Sequence, residues 1–272
     1  MTEYKSINVL ITGGSQGIGR AIAEALARRG ANVFLIARRQ DALDEAVEAI
    51  RSAYPNVRIA ALACDVTDYV QVEAAVTNMM ETFGGIDGVV NNAGLSIPRY
   101  FDDISPEEFE RTMRVNYLGS VYTTKAAIPH LHAGAFITFT SSVAGYLGAF
   151  GFTSYAPTKF AQMGFAESLQ QELAPRGIHV AVLCPPDTQT PGFDNENSTK
   201  PYETKYLSGA AKLMPAEEVA RRFLDGLANR KFVINCNFES AMLYRLKGIA
   251  PGLSRFIMNR LIAKAQRKMT KM

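Results

Sequence analysis

Apolar positions along this chain follow two alternating patterns. Short continuous apolar runs occur at residues 7–11, at Asn32–Ala37 ("NVFLIA"), and at 57–66, 86–94, 135–142 ("AFITFTSS"), 178–184 ("IHVAVLC") and 231–235 ("KFVIN"). Between them, apolar residues recur at helical spacing in 17–29 (Ile22, Ala25, Leu26), 41–54 (Leu43, Val47, Ile50), Tyr69–Phe83, 105 to about 132, 155–173 and 215–228. Ser105, Pro106, Glu107 and Glu108 make a helix start, with proline in the first turn and acids facing the positive end of the dipole. Strands that are apolar throughout belong to a parallel sheet covered on both faces. Regular β–α alternation then predicts an α/β fold with a doubly wound parallel sheet. No repeat or low-complexity linker interrupts it. The expectation is one domain over 1–238, with a substrate loop at about 185–214, followed by a tail at 239–272.

Charge changes the picture at that tail. The chain has 272 residues, 29 Lys/Arg and 26 Asp/Glu. Residues 239–272 hold eight of the basic residues and one acid, so a body of 21 basic and 25 acidic residues carries a strongly basic tail. Within it Leu253, Phe256, Ile257, Leu261 and Ile262 fall near helical spacing, with Arg255, Arg260, Lys264, Arg267 and Lys268 beside or across from them. Such a helix lies in a bilayer interface over anionic lipid, or it packs on the domain. No nucleic-acid module is present. No apolar run reaches 18 residues and no signal peptide is read, so the expectation is a cytoplasmic protein, peripheral on a membrane at most. Cys64, Cys184 and Cys236 are odd in number and far apart, and the three histidines are scattered; neither a disulfide framework nor a metal site is expected.

Chemistry concentrates at two places. "TGGSQGIG" (residues 12–19) sits between the first strand and the first helix. Glycines there allow a tight turn and let backbone N–H groups meet a pyrophosphate at the helix N-terminus. Gly13, Ser15, Gln16, Gly17, Ile18 and Gly19 are therefore cofactor candidates in a Rossmann-type fold. The second strand ends in Ala37, Arg38 and Arg39, where an NAD site would place an acid. The two arginines favour NADPH; the plain alternative is that both are solvated. Asp65, with Val66, is expected at the adenine, and the turn of Asn91, Asn92, Ala93 and Gly94 beside the adenosine ribose. Further on, Tyr155 and Lys159 share a helix face, thirteen residues after Ser142. A lysine ammonium near a phenol lowers its proton affinity, which suits proton exchange with a ketone.

Together these residues resemble the short-chain dehydrogenase/reductase family over about residues 7–235. The resemblance implies a catalytic set of Asn116, Ser142, Tyr155 and Lys159, with Asn116 holding a water that links Lys159 to solvent. It implies a homo-oligomer, a dimer or tetramer. It also implies that the segment after the sixth strand wraps the nicotinamide through Pro185, Thr188 and Thr190, although Pro186 stands where the family usually has glycine. "PPDTQTPGF", "ENSTKP", "NYLGSVY" and "FGFTSY" further resemble one branch, NADPH-dependent reductases of the C3 ketone of a long-chain amino-ketone lipid. In such a site Asp187, or Glu196, would attract the substrate ammonium; the plain alternative is a loop-capping aspartate and a solvated glutamate. The chain is expected to lack the N-terminal anchor of many members. Two alternatives stay open: a reductase of another hydrophobic ketone (a 3-oxoacyl thioester, steroid or retinoid), and a non-catalytic dinucleotide-binding scaffold.

Overall fold

All seven apolar runs become the neighbours they must be if both faces of each are to leave water. β1 (Asn8–Thr12), β2 (Asn32–Ala37), β3 (Ile59–Ala63), β4 (Gly88–Asn91), β5 (Phe136–Thr140) and β6 (His179–Cys184) all pair in parallel. The two-residue strands β7 (Thr188–Gln189) and β8 (Met214–Pro215) pair apart from them, and β9 (Val233–Asn235) closes the seven-stranded sheet. The order is β3-β2-β1-β4-β5-β6-β9. This is a computed structural model that describes residues 4–209 and 213–270. The expected spans 1–238, 185–214 and 239–272 thus include residues 1–3, 210–212 and 271–272, which lie outside the described residues.

Helices cover both faces because successive strand residues point to opposite sides. On one side, Val9, Ile11, Val33 and Leu35 pack against α1 (Gly17–Ala27), α2 (Gln40–Ala53) and α9 (Ala216–Ala228), through residues such as Ile22, Ile50 and Phe223. On the other, Leu10, Phe34 and Ile36 meet α3 (Tyr69–Phe83), α5 (Gly119–Ala127) and α6 (Ala156–Leu173), through Met79, Ala127 and Met163. Each fully buried Leu, Ile or Phe contributes roughly 1.5–3 kcal/mol, so this double core dominates stability. The chain runs outward from β1 to β3, then returns to place β4 on the other side of β1. That reversal opens a crevice beyond the strands' carboxyl ends, where such sheets bind ligands.

Three expectations change on folding. The helical stretch after Ser105 is not continuous. Ser105 and Glu108 form a reciprocal cap at the start of α4 (Pro106–Met113), but Arg114–Leu118 follows as a wider, π-type turn before α5. The turn faces Asn116 inward, fully buried. The expected loop at 185–214 folds into two helices, α7 (Pro191–Thr199) and α8 (Tyr202–Ser208). Thr190 caps α7 by accepting from the Phe193 N–H at 3.1 Å, with Pro191 at the first position. The tail is two helices, α10 (Phe238–Ile249) and α11 (Pro251–Met269), divided just before Pro251.

Candidate active site

One cleft of about 680 Å³ spans the crevice. Its first half is made of backbone. Gly13 takes φ +66°, a left-handed conformation that L side chains rarely adopt. A Cβ on Gly19 would lie 2.3 Å from the Gly13 carbonyl oxygen and 2.4 Å from the Asn92 amide nitrogen. The cradle therefore exists only because both residues are glycine. Thr12 locks it to the neighbouring strand: its hydroxyl accepts from the N–H groups of Asn92 and Ala93, both at 2.9 Å. No side chain caps α1, which leaves its first-turn N–H groups for an anion. Arg38 and Arg39 are exposed at the cleft edge, and among the described residues neither makes an ion pair. The residues fit a dinucleotide: a pyrophosphate at the glycine turn and an anion beside the arginines. Asp65 folds into a turn, accepting from the Thr67 N–H and hydroxyl, both at 2.9 Å.

The second half is made of side chains. Tyr155 precedes α6 and Lys159 lies one turn in, with Nζ 5.4 Å from the phenol ring centroid. Ser142, just beyond β5, hydrogen-bonds the phenol. Lys159 is buried and donates to the Thr140 carbonyl at 2.8 Å and to Gln162 Oε1 at 3.2 Å. Burial pulls its ammonium down to about 7, opposed by Cys184 and Glu196. The expectation was a phenol of lowered proton affinity, whereas in this geometry the net direction is upward. Burial pushes the phenol up, the Glu196 and Asp187 carboxylates push the same way, and only the Ser142 hydrogen bond opposes them. The sequence pattern shows the lysine; it does not show that two carboxylates arrive from α7 and the loop before it.

Asn116 stands behind this pair. Its side-chain oxygen accepts from the Leu95 N–H at 2.8 Å, and its amide donates to the Leu95 carbonyl and the Thr158 hydroxyl, both at 2.9 Å. Its main-chain carbonyl accepts from Ser120 Oγ at 2.9 Å and Gln162 Nε2 at 2.8 Å. Two acceptances engage both lone pairs of that carbonyl and tie the turn to α5 and α6.

Of the residues expected at the site, Gly13, Ser15, Gln16, Gly17, Ile18, Arg38, Arg39, Asp65, Val66, Asn92, Ala93, Gly94, Ser142, Tyr155, Lys159, Pro185, Thr188 and Thr190 line this one cleft. Gly19 and Asn116 lie just behind its wall. Thr190 is engaged in capping α7, and Thr188 donates to the Pro186 carbonyl at 2.8 Å. Sequence reasoning missed the far wall: Phe150, Phe152, Phe193, Leu207 and Asn237, and from the tail Ser240, Leu243 and Met258. The one local signal was Asn237, which caps α10 through the Ser240 N–H at 2.8 Å. Glu196 also belongs here, 3.7 Å from the buried Lys200 ammonium, which rests 3.8 Å over the Phe193 ring. Burial raises the Glu196 carboxyl above its ordinary value, opposed by Lys200.

A glycine cradle at the sheet reversal, with a serine, tyrosine and lysine at its other end, defines the class. The family described as short chain dehydrogenase matches residues 7–201, and the chain belongs to that family. More particular likenesses lie within it. The chain is 40% identical over 250 residues, 90% of its own length and 75% of the other's, to a 3-ketodihydrosphingosine reductase of Bos taurus. It is 39% identical over 255 residues, 92% and 77% of the two lengths, to a 3-dehydrosphinganine reductase of Danio rerio. Among solved structures, a short chain dehydrogenase from Burkholderia cenocepacia in complex with NADP is similar with a TM-score of 0.75 and 29% identity, covering 86% of this chain and 96% of that one.

Proposed function

We propose that this chain reduces the C3 ketone of 3-ketodihydrosphingosine (3-dehydrosphinganine) to sphinganine, with NADPH as reductant. The observation that carries the reading is the 40% identity to the bovine reductase across 90% of the chain, with the tyrosine, serine and lysine converging on one cleft. When bound, the nicotinamide supplies the hydride for the carbonyl carbon. Tyr155, kept protonated by its surroundings, donates its proton to the carbonyl oxygen while the Ser142 hydroxyl holds the same oxygen. Arg38, exposed at the cleft edge where an NAD site would have an acid, would hold the cofactor's 2′-phosphate, and this supports NADPH over NADH. The substrate's ammonium sits on the carbon next to the ketone, so a carboxylate that acts on Tyr155 is placed to meet it; Glu196 and Asp187 both do.

The alkyl chain follows the far wall past Leu243 and Met258 towards α10 and α11. These helices are seated on the domain by one face. Tyr146 donates to the Ser240 carbonyl at 3.0 Å and stacks edge-on against Tyr244, and α11 buries Ser254 and Ala265. Ile262 turns partly inward with them, whereas Leu253, Phe256, Ile257 and Leu261 are exposed, as are Phe238, Met242 and Ile249. Among the described residues no helix is long and apolar enough to cross a membrane. The exposed apolar residues and the basic charge of the tail support the reading of a peripheral contact on the cytosolic face, with an apolar and basic rim delivering a lipid substrate to the cleft. Association as a dimer or tetramer through the helices around Asn116 and Tyr155 belongs to the same proposal.

The test is NADPH oxidation with 3-ketodihydrosphingosine set against 3-oxoacyl thioesters and cyclic ketones. Preference for the amino-ketone is expected; preference for a thioester overturns the substrate, and inactivity with every ketone overturns the reaction. Sedimentation with anionic vesicles tests the rim. Binding at low salt, lost in a Leu253→Asp/Phe256→Asp variant, is expected; an intact protein that ignores vesicles overturns membrane contact.

A further inference from the structure

Gln162 is a fully buried amide on α6, three residues beyond Lys159. Its Nε2 donates to the Asn116 carbonyl at 2.8 Å and to Ser120 Oγ at 2.9 Å, and its Oε1 accepts from Lys159 Nζ at 3.2 Å. This orientation is forced. The Asn116 oxygen is a pure acceptor, and Ser120 already spends its one proton on that oxygen. Both must meet the amide's N–H groups, which leaves only the amide oxygen for Lys159. A flipped amide would set an oxygen against two acceptors in a dry interior, where each unmade hydrogen bond is expensive.

The consequence falls on Lys159. Its two hydrogen-bond partners, the Thr140 carbonyl and Gln162 Oε1, are both pure acceptors, and each favours the ammonium over the neutral amine. Burial acts in the opposite direction. The titratable groups facing Lys159 are Tyr155 at the start of α6, Cys184 at the end of β6 and Glu196 on α7. Burial keeps the Tyr155 phenol and the Cys184 thiol neutral, and Glu196 stands at the substrate end with Lys200 against it. Gln162 is thus the acceptor that neither substrate nor neighbouring charge disturbs. It is anchored to the turn whose Asn116 is itself clamped to Leu95 and Thr158.

We propose that Gln162 is a positioning residue for Lys159: it fixes the Nζ in the site and favours the ammonium there over the neutral amine, against burial. The proposal rests on the reading of Tyr155 and Lys159 as the proton-transfer pair, but its first test does not depend on turnover. In the cofactor-free full chain, NMR titration of the Lys159 Cε should give a proton affinity lower by about one pH unit in Gln162→Met than in the wild type, the size expected for a hydrogen bond to a charged group. The second readout is the pH profile of NADPH-dependent reduction with whichever ketone the wild type accepts. The alkaline limb of kcat should move down with the NMR value, while KM for the ketone changes less than about twofold. If Gln162→Met does not fold, Ser120→Ala removes one anchor without touching Lys159, and a smaller shift in the same direction is expected. An unmoved Lys159 titration in a folded variant overturns the proposal. So does a rate loss equal at every pH, which is what a merely structural amide would produce. Failure of 3-ketodihydrosphingosine as substrate, with the titration shifted as stated, overturns the substrate reading alone.

Discussion

At one end of the cleft, Gly13, Gly17 and the N–H groups of α1 come from one short stretch of chain, and Thr12 ties them to Asn92 and Ala93 just beyond β4. At the other end, Glu196, Phe193, Leu243 and Met258 come from α7, α10 and α11, separated by tens of residues and brought together only by folding. The first end recognises its ligand with backbone dipoles and a paired turn, so its specificity is nearly geometric. The second uses side chains, two carboxylates and an exposed apolar rim, so its specificity is chemical and open to change. Tyr155, Ser142 and Lys159 sit at the junction. A family can therefore keep one end and vary the other, and the substrate of any member must be read from the variable end.

Substitutions along the cleft separate these roles. Tyr155→Phe, at the junction, removes the proton donor and keeps the ring; turnover should fall at least about a hundredfold while NADPH binding, followed by fluorescence, is retained. A variant with near-normal turnover would remove Tyr155 from the chemistry. Arg38→Asp, at the backbone end, should raise KM for NADPH relative to NADH by about tenfold or more through loss of a charge-assisted phosphate contact. Equal change with both cofactors would show that Arg38 reads no phosphate. Glu196→Gln, at the side-chain end, should raise KM for the amino-ketone by about tenfold, as expected for loss of a hydrogen bond to a charged group, and leave a des-amino ketone of the same length within about twofold. Parallel losses on both ketones would assign Glu196 to shaping α7 instead.

The smallest effect concerns stability. Lys159 is held near 7 in the folded chain against an ordinary 10.5. Between those values the unfolded chain binds more protons, so stability from this group rises with pH across that window. Relative to Lys159→Met, the wild type should gain as pH rises from 7 to 9, by at most about 1.4 kcal/mol per pH unit. Urea unfolding at three pH values measures it, and a flat difference would mean that Lys159 is not perturbed by burial.

How much of this was legible beforehand follows from locality. Asn32–Ala37 and Tyr69–Phe83 were bounded as found, since their patterns end at strong local signals: Asp68 caps α3 and Gly84, at φ +81°, closes it. The helices of the 185–214 segment were hidden because "FDNENSTKPYETKYLS" has little apolar periodicity; their faces bury against the cleft and α11. The tail's amphipathic stripe was visible, but not which part of it the domain would cover: Ile262 turned inward and its four companions did not.

The order of strands and helices, the glycine cradle, the arginines after β2 and the Ser142–Tyr155–Lys159 spacing were determined by the sequence alone. Each depends on contacts within a few residues or on a period that matches its element. Folding alone decided the inward turn of Asn116, the forced amide of Gln162, the burial of Tyr155 near the Glu196 and Asp187 carboxylates and the tail's place in the cleft wall. These arise from burial and from partners distant in the chain, and a linear pattern carries neither the dielectric around a group nor the neighbour that arrives from another helix.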